Sequence, residues 1–199
     1  MSSEHTSPAY SEAITFHNIG SRSLYVIVCD HASSLIPDEY KGLGLPPQTV
    51  KEHIGWDIHA MDMATIVAGM LVSPLVSVPV SRLVAELNRP ETCRERIPAR
   101  SETTFVPGNL SLTLQERENR LSRWHRPFHQ GLRTLLEERT SRGSETFLVG
   151  IHSFTPVYAG VSRPWAGGHP VSSLPFARQN RSTSHGKTER RARRPQPAL

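Results

Sequence analysis

The chain has 199 residues, 37% of them hydrophobic, which suffices for one domain with a sizeable core, is short for two, and suggests that not all of it folds. No apolar run approaches the ~20 residues of a membrane span, the N-terminal MSSEHTSPAYSEA lacks the basic and apolar regions of a secretory signal, and the two cysteines, Cys29 and Cys93, form no CxxC, so the expected setting is a reducing cytoplasm. Residues 166–199 carry seven basic side chains and one acid, a net +6 against +5 for the whole chain, so residues 1–165 stand at −1 and show no electrostatic footprint for nucleic acid.

Residues 1–20 are mostly polar apart from 13–16 and read as a flexible arm or a loosely docked strand. The folded domain is expected over 21–165. Residues 24–29 form a continuous apolar, β-rich run, as in a parallel strand buried on both faces. A polar loop, 30–37, comes next. Pro46-Pro47 then opens a helical stretch to about Leu71, since proline suits a first helical turn. Val50, Ile54, Asp57, Ile58 and Met61 recur at three- and four-residue spacing, giving one apolar face with Asp57 set into it.

Residues 75–84 alternate and are β-branched, so strands are expected, with Pro79 marking a break or an edge. Residues 86–90 read as a turn and 91–110 as an irregular loop. Thr113 and Glu116 fit a capping box. The helix they open has Leu114, Leu121, Trp124, Phe128, Leu132, Leu135 and Leu136 on an apolar stripe. Pro127 should kink it and Arg142-Gly143 should stop it. Residues 146–151 read as a second buried strand. The order strand, helix, strand, long helix, strand predicts an α/β sandwich around a mostly parallel or mixed sheet. After Trp165 apolar periodicity ends, and residues 166–199 are expected to be a basic, disordered tail.

His31 and His152 each lie one or two residues past an apolar strand, where α/β sheets build ligand sites. Two neutral imidazoles on neighbouring strand ends can share a metal such as zinc. Each can equally be a loop histidine bonded to backbone. His53 and Asp57, at i and i+4 on the predicted helix, can pair or ligate a metal. A carboxylate buried among Ile54, Ile58 and Met61 needs a cation, a metal or several donors. Arg82 and the Asn88-Arg89 pair can read a carboxylate, because the guanidinium fork matches it bidentately, or can serve in surface ion pairs.

The chain carries, in order, Cys29-Asp30-His31-Ala32-Ser33 with Ile36-Pro37, His53 to Asp57 (HIGWD), Ser81-Arg82-Leu83-Val84 running into Leu87-Asn88-Arg89-Pro90, Pro107-Gly108-Asn109, Arg126-Pro127-Phe128-His129, Ile151-His152-Ser153-Phe154-Thr155-Pro156 and Arg163-Pro164-Trp165. Taken together and in this order, these blocks resemble the N-formylglutamate amidohydrolase family. The resemblance covers about residues 24–165. It implies a three-layer, zinc-carboxypeptidase-like sandwich, incomplete at its C-terminal end. It implies metal-dependent hydrolysis of an N-acyl amide on an acidic amino acid, as in N-formylglutamate.

On the same resemblance, His31 and His152 look like metal ligands. The family's relatives place an acidic third ligand three residues after the first histidine, where this chain has Ser34, so Asp57 is the substitute. Arg82 looks like the oxyanion-steadying residue, and Asn88 with Arg89 like the clamp on the substrate carboxylate. Related enzymes use a late glutamate as general base. Here the only acid after Trp165 is Glu189, in the basic tail, which suggests an out-of-frame or truncated C-terminus. The expected partner is a small N-acyl amino acid, with no membrane. The alternatives are a catalytically dead remnant that binds acidic ligands and, through the basic tail, a nucleic-acid-associated protein.

Overall fold

The computed structural model describes residues 12–158 and 160–163. The predicted tail, 166–199, lies outside the described residues, as does the beginning of the expected arm, 1–11.

The central sheet has four strands, β1 (Thr15–His17), β2 (Tyr25–Cys29), β3 (Leu75–Ser77) and β6 (Phe147–Gly150). Their order across the sheet is β1-β3-β2-β6. β2 runs parallel to both β3 and β6, and β1 closes one edge antiparallel to β3, so the sheet is mixed. Side chains alternate across a strand, and β2 divides its apolar run accordingly. Val26 and Val28 join one buried cluster, Ile27 and Cys29 the other. The first cluster is completed by Trp124, Phe128 and Leu135 from the long helical segment. The second is completed by α2 (Ala60–Met70), whose Ala60, Ala64 and Ala68 recur at four-residue spacing, on one helix face. Val26, Ile27 and Val76 are fully buried, and each stabilises the fold by about 1.5–3 kcal/mol.

Of the expected arm, residues 15–17 form β1, with Ala13 and Ile14 buried against the first cluster. The single helix expected from Pro46 to Leu71 is broken. α1 (Pro47–Val50) is one turn, and the chain folds back before α2. Gly55 makes the reversal. A Cβ built on it would lie 2.0 Å from the Val50 carbonyl oxygen. His59, just before α2, has left-handed backbone, φ 61°. His53 and Asp57 therefore share no helix face.

The expected loop 91–110 contains a small hairpin, β4 (Arg100–Ser101) with β5 (Thr104–Phe105), and one turn of helix, α3 (Pro107–Leu110). Buried Asn109 braces this region. Its side-chain amide donates to the carbonyls of Leu83 and Pro98, and its Oδ1 accepts from Arg120.

The capping box is present at α4 (Leu114–Arg120): Thr113 Oγ1 accepts from Glu116 N, and the Glu116 carboxylate accepts from Thr113 N. A π turn (Leu121–His125) joins α4 to α5 (Arg126–Ser141). Pro127 has no N–H, so the ladder cannot run through it unchanged, and Arg126 N–H reaches back five residues to Leu121 O. The extra residue rotates α4 relative to α5. The buried stripe starts at Leu121, and Leu114 is 87% exposed rather than part of it. Gly143, φ 74°, lies just past the helix end. β6 is less buried than its apolar sequence predicts, with Phe147 and Leu148 about half exposed. It bonds only β2 among the described strands and stands at the sheet edge. A second small hairpin, β7 (Val157–Tyr158) with β8 (Val161–Ser162), lies beyond it in the chain.

Candidate active site

Parallel strands β2 and β6 end side by side, which brings Asp30 and His31, just past β2, near His152, just past β6. The His31 and His152 rings are 5.1 Å apart. The turn made by Gly55 carries Asp57 up to both, pinned where Asp57 N–H donates to His31 O at 3.1 Å. The segment after β3 bends back over the same end. Ser81 Oγ–H and Arg82 N–H both donate to Gly55 O, which locks the two turns together. Arg82 and Glu86 lie on that segment.

Each imidazole has one nitrogen held by a carboxylate. His31 Nε2–H donates to Glu86 Oε1 at 2.7 Å, and His152 Nδ1–H donates to Asp57 Oδ2 at 2.8 Å. His152 Nε2 lies 3.4 Å from Asp30 Oδ1, and His31 Nδ1 lies 3.3 Å from Asp57 Oδ2 without hydrogen-bonding geometry. Buried Asp30 Oδ1 and His31 Nδ1 have no hydrogen-bond partner among the described residues. Asp30, His31 and His152 each offer one ligand atom, all within 4.8 Å of one another. Buried polar atoms without partners on Asp30 and His31, two of the three residues whose ligand atoms converge, fit a divalent cation that takes the place of a ring proton, and two imidazoles with a carboxylate suit zinc.

Arg82 joins the cluster through its whole fork. Nε and Nη2 donate to Glu86 Oε2 at 2.9 and 2.6 Å, and Nη1 donates to Asp57 Oδ1 at 3.4 Å. Glu86 Oε1 also accepts Asn88 N–H at 3.0 Å. The Asn88 and Arg89 side chains are exposed on the turn beyond it, without a bonded partner among the described residues. The expected His53–Asp57 pair does not form. His53 bonds Glu102 at 2.7 Å.

The electrostatics reflect burial set against partners. Burial alone would lower His31, but the Asp57 and Glu86 carboxylates outweigh it and raise the imidazole to about 9. Burial would raise Glu86, but His31 and then Arg82 bring it down to about 2. Asp57, likewise opposed by burial, is held below the usual carboxylate range by His152 and His31. His152 is raised by Asp57. Cys29, beneath the cluster, is pushed up to about 12 by burial and the nearby Asp30 and Asp57 charges, so it stays a thiol.

Sequence reasoning singled out His31, His152, Asp57 and Arg82, which the fold brings together, but neither Asp30 nor Glu86. Asp30 offered one signal, its place between a strand end and His31. Glu86 offered another, an acid inside the apolar run Val84-Ala85-Glu86-Leu87.

The fold and site define an α/β domain with a histidine–carboxylate centre at the carboxyl end of a mixed sheet. The sequence profile of the N-formylglutamate amidohydrolase family matches residues 23–194, and the chain belongs to that family. The match runs past Trp165, beyond the blocks that carried the resemblance. No curated protein matches the chain. Among solved structures, it is similar to gene product Atu2144 from Agrobacterium tumefaciens, with 36% identity and a TM-score of 0.74. The similarity covers 79% of this chain and 62% of that one, so the chain spans less than two thirds of that relative's length.

Proposed function

We propose that this protein hydrolyses the N-acyl amide of an acidic amino acid, with N-formylglutamate as the type substrate, and that it does so with a divalent metal, zinc. The observation that carries the reading is the convergence of Asp30, His31 and His152, two of them with orphaned buried ligand atoms, beside the guanidinium of Arg82. On this reading the fold is a three-layer, zinc-carboxypeptidase-like sandwich working in the cytoplasm on a small N-acyl amino acid.

His31 and His152 hold the ion, and Asp30 is the third protein ligand. Asp57, the third ligand expected from sequence, orients His152 at the edge of the same space. When bound, such an ion polarises the substrate carbonyl and acidifies a water. Arg82 sets positive charge beside the centre, where a tetrahedral oxyanion develops during amide hydrolysis. Its fork is fixed in advance on Glu86 and Asp57, so little reorganisation accompanies the reaction. Asn88 and Arg89, exposed on the adjacent turn, take the substrate carboxylate, the arginine by a planar two-point contact.

The test measures zinc content and formate release from N-formyl-L-glutamate on one sample. The expected result is near-stoichiometric zinc and turnover, with His31→Ala and His152→Ala each losing the metal and at least about 100-fold in rate. Unchanged metal content in both variants would overturn the ligand assignment. Bound metal without turnover across a panel of N-acyl amino acids would overturn the reaction.

A further inference from the structure

We propose that His125 and His129 are positioning residues that hold the substrate-carboxylate clamp in shape from behind, an inference that rests on the reading of Asn88 and Arg89 as that clamp. His125 Nε2–H donates to Arg89 O and His129 Nε2–H to Leu87 O, each at 3.0 Å. Asn88 N–H is taken by Glu86 Oε1. Three successive residues of the turn are therefore anchored, by side chains from the turn itself, from the π turn and from α5. With the backbone fixed on both sides of Asn88, its side chain and that of Arg89 leave the turn in set directions.

The π turn makes this arrangement available. It ends at His125, and a π turn within an α-helix shifts every later residue by one position around the axis. Trp124 and Phe128 face the core cluster, while His125 and His129, one residue further on, face the 87–89 turn. Their rings lie 4.5 Å apart. His125 is 2% exposed, so its bond to Arg89 O is shielded from competing water. A buried carbonyl that loses its donor is left unsatisfied, and the turn then relaxes to find water.

The experiment compares His125→Leu and His129→Leu, which remove the donor, with His125→Gln and His129→Gln, whose amide N–H can reach the place of Nε2–H. Zinc content is measured on each sample. For the zinc-loaded protein, each Leu variant is expected to raise KM for N-formyl-L-glutamate about tenfold while kcat stays within about threefold, and each Gln variant is expected to restore KM. A role in general packing would instead lower kcat and zinc content together, with no recovery in the Gln variants. That pattern, or an unchanged KM in the Leu variants, overturns the proposal.

If the wild-type zinc protein turns over no N-acyl amino acid, the functional reading fails by itself. Amide hydrogen exchange across residues 86–91 then judges the anchoring. Faster exchange in the Leu variants, restored in the Gln variants, supports it, and unchanged exchange overturns it. Should a Leu variant not fold, His129→Asn, too short to reach Leu87 O, replaces it beside His129→Gln.

Discussion

Glu86 serves His31, Arg82 and the Asn88 N–H on one carboxylate. Oε1 accepts from His31 Nε2–H and so leaves Nδ1 as the ring nitrogen available to a cation, while Oε2 holds Arg82 by two donors. The proposed metal ligand and the cationic group beside it are thereby kept in register by a side chain that touches neither metal nor substrate in the proposed reaction. Carboxylates in this position behind a histidine ligand commonly contribute 10–100-fold to metal affinity. Glu86→Ala is accordingly expected to weaken zinc binding by about that factor. Competition with a chelating dye reads the change. An affinity within about threefold of the wild type would show that His31 needs no such support.

Among the elements, the helix that opens at Thr113 was legible because its signals are local. The reciprocal bonds of Thr113 and Glu116 lie within four residues. Thr113→Ala is expected to cost about 1 kcal/mol of stability, measured by urea denaturation, because one N-terminal N–H loses its acceptor. β2 was legible for the same reason, as an unbroken apolar run, and His31 and His152 were legible as strand-end residues. What the sequence hid depends on distant partners. The expected helix from Pro46 breaks where Gly55 meets the Val50 carbonyl and Asp57 N–H turns to His31 O, and no periodicity reports such contacts. β6 reads like β2 because an apolar run looks alike in a central and an edge strand. The bond of Glu86 to His31 joins residues 55 positions apart in sequence, so only the folded chain reveals it.

For the whole molecule, His125 and His129, behind the proposed clamp, link stability to pH. Burial lowers the pKa of both His125 and His129 from the ordinary 6.5. A depressed pKa means that the unfolded chain binds the proton more readily. The stabilisation is therefore complete above about 6.5 and is lost as pH falls from there through the depressed values. Protonating both would also set two positive rings 4.5 Å apart. The wild-type protein should lose more thermal stability between pH 7.5 and pH 5 than a His125→Gln, His129→Gln double variant does, as measured by thermal melting. Equal losses would show that other groups govern the acid limb.

Gly55 also restricts what the gene can tolerate. Every missense change in a glycine codon adds at least a Cβ, and here that carbon would collide with backbone, where no rotamer offers relief. The same residue's carbonyl receives Ser81 and Arg82, and Asp57 lies two residues later. An allele altered at this codon should therefore behave as a metal-centre mutant while every proposed ligand is intact. Purified Gly55→Ala protein is expected to fold with a lowered melting temperature and with reduced zinc content. In a mutational scan, position 55 should read as intolerant as His31 itself, although its side chain is a single hydrogen.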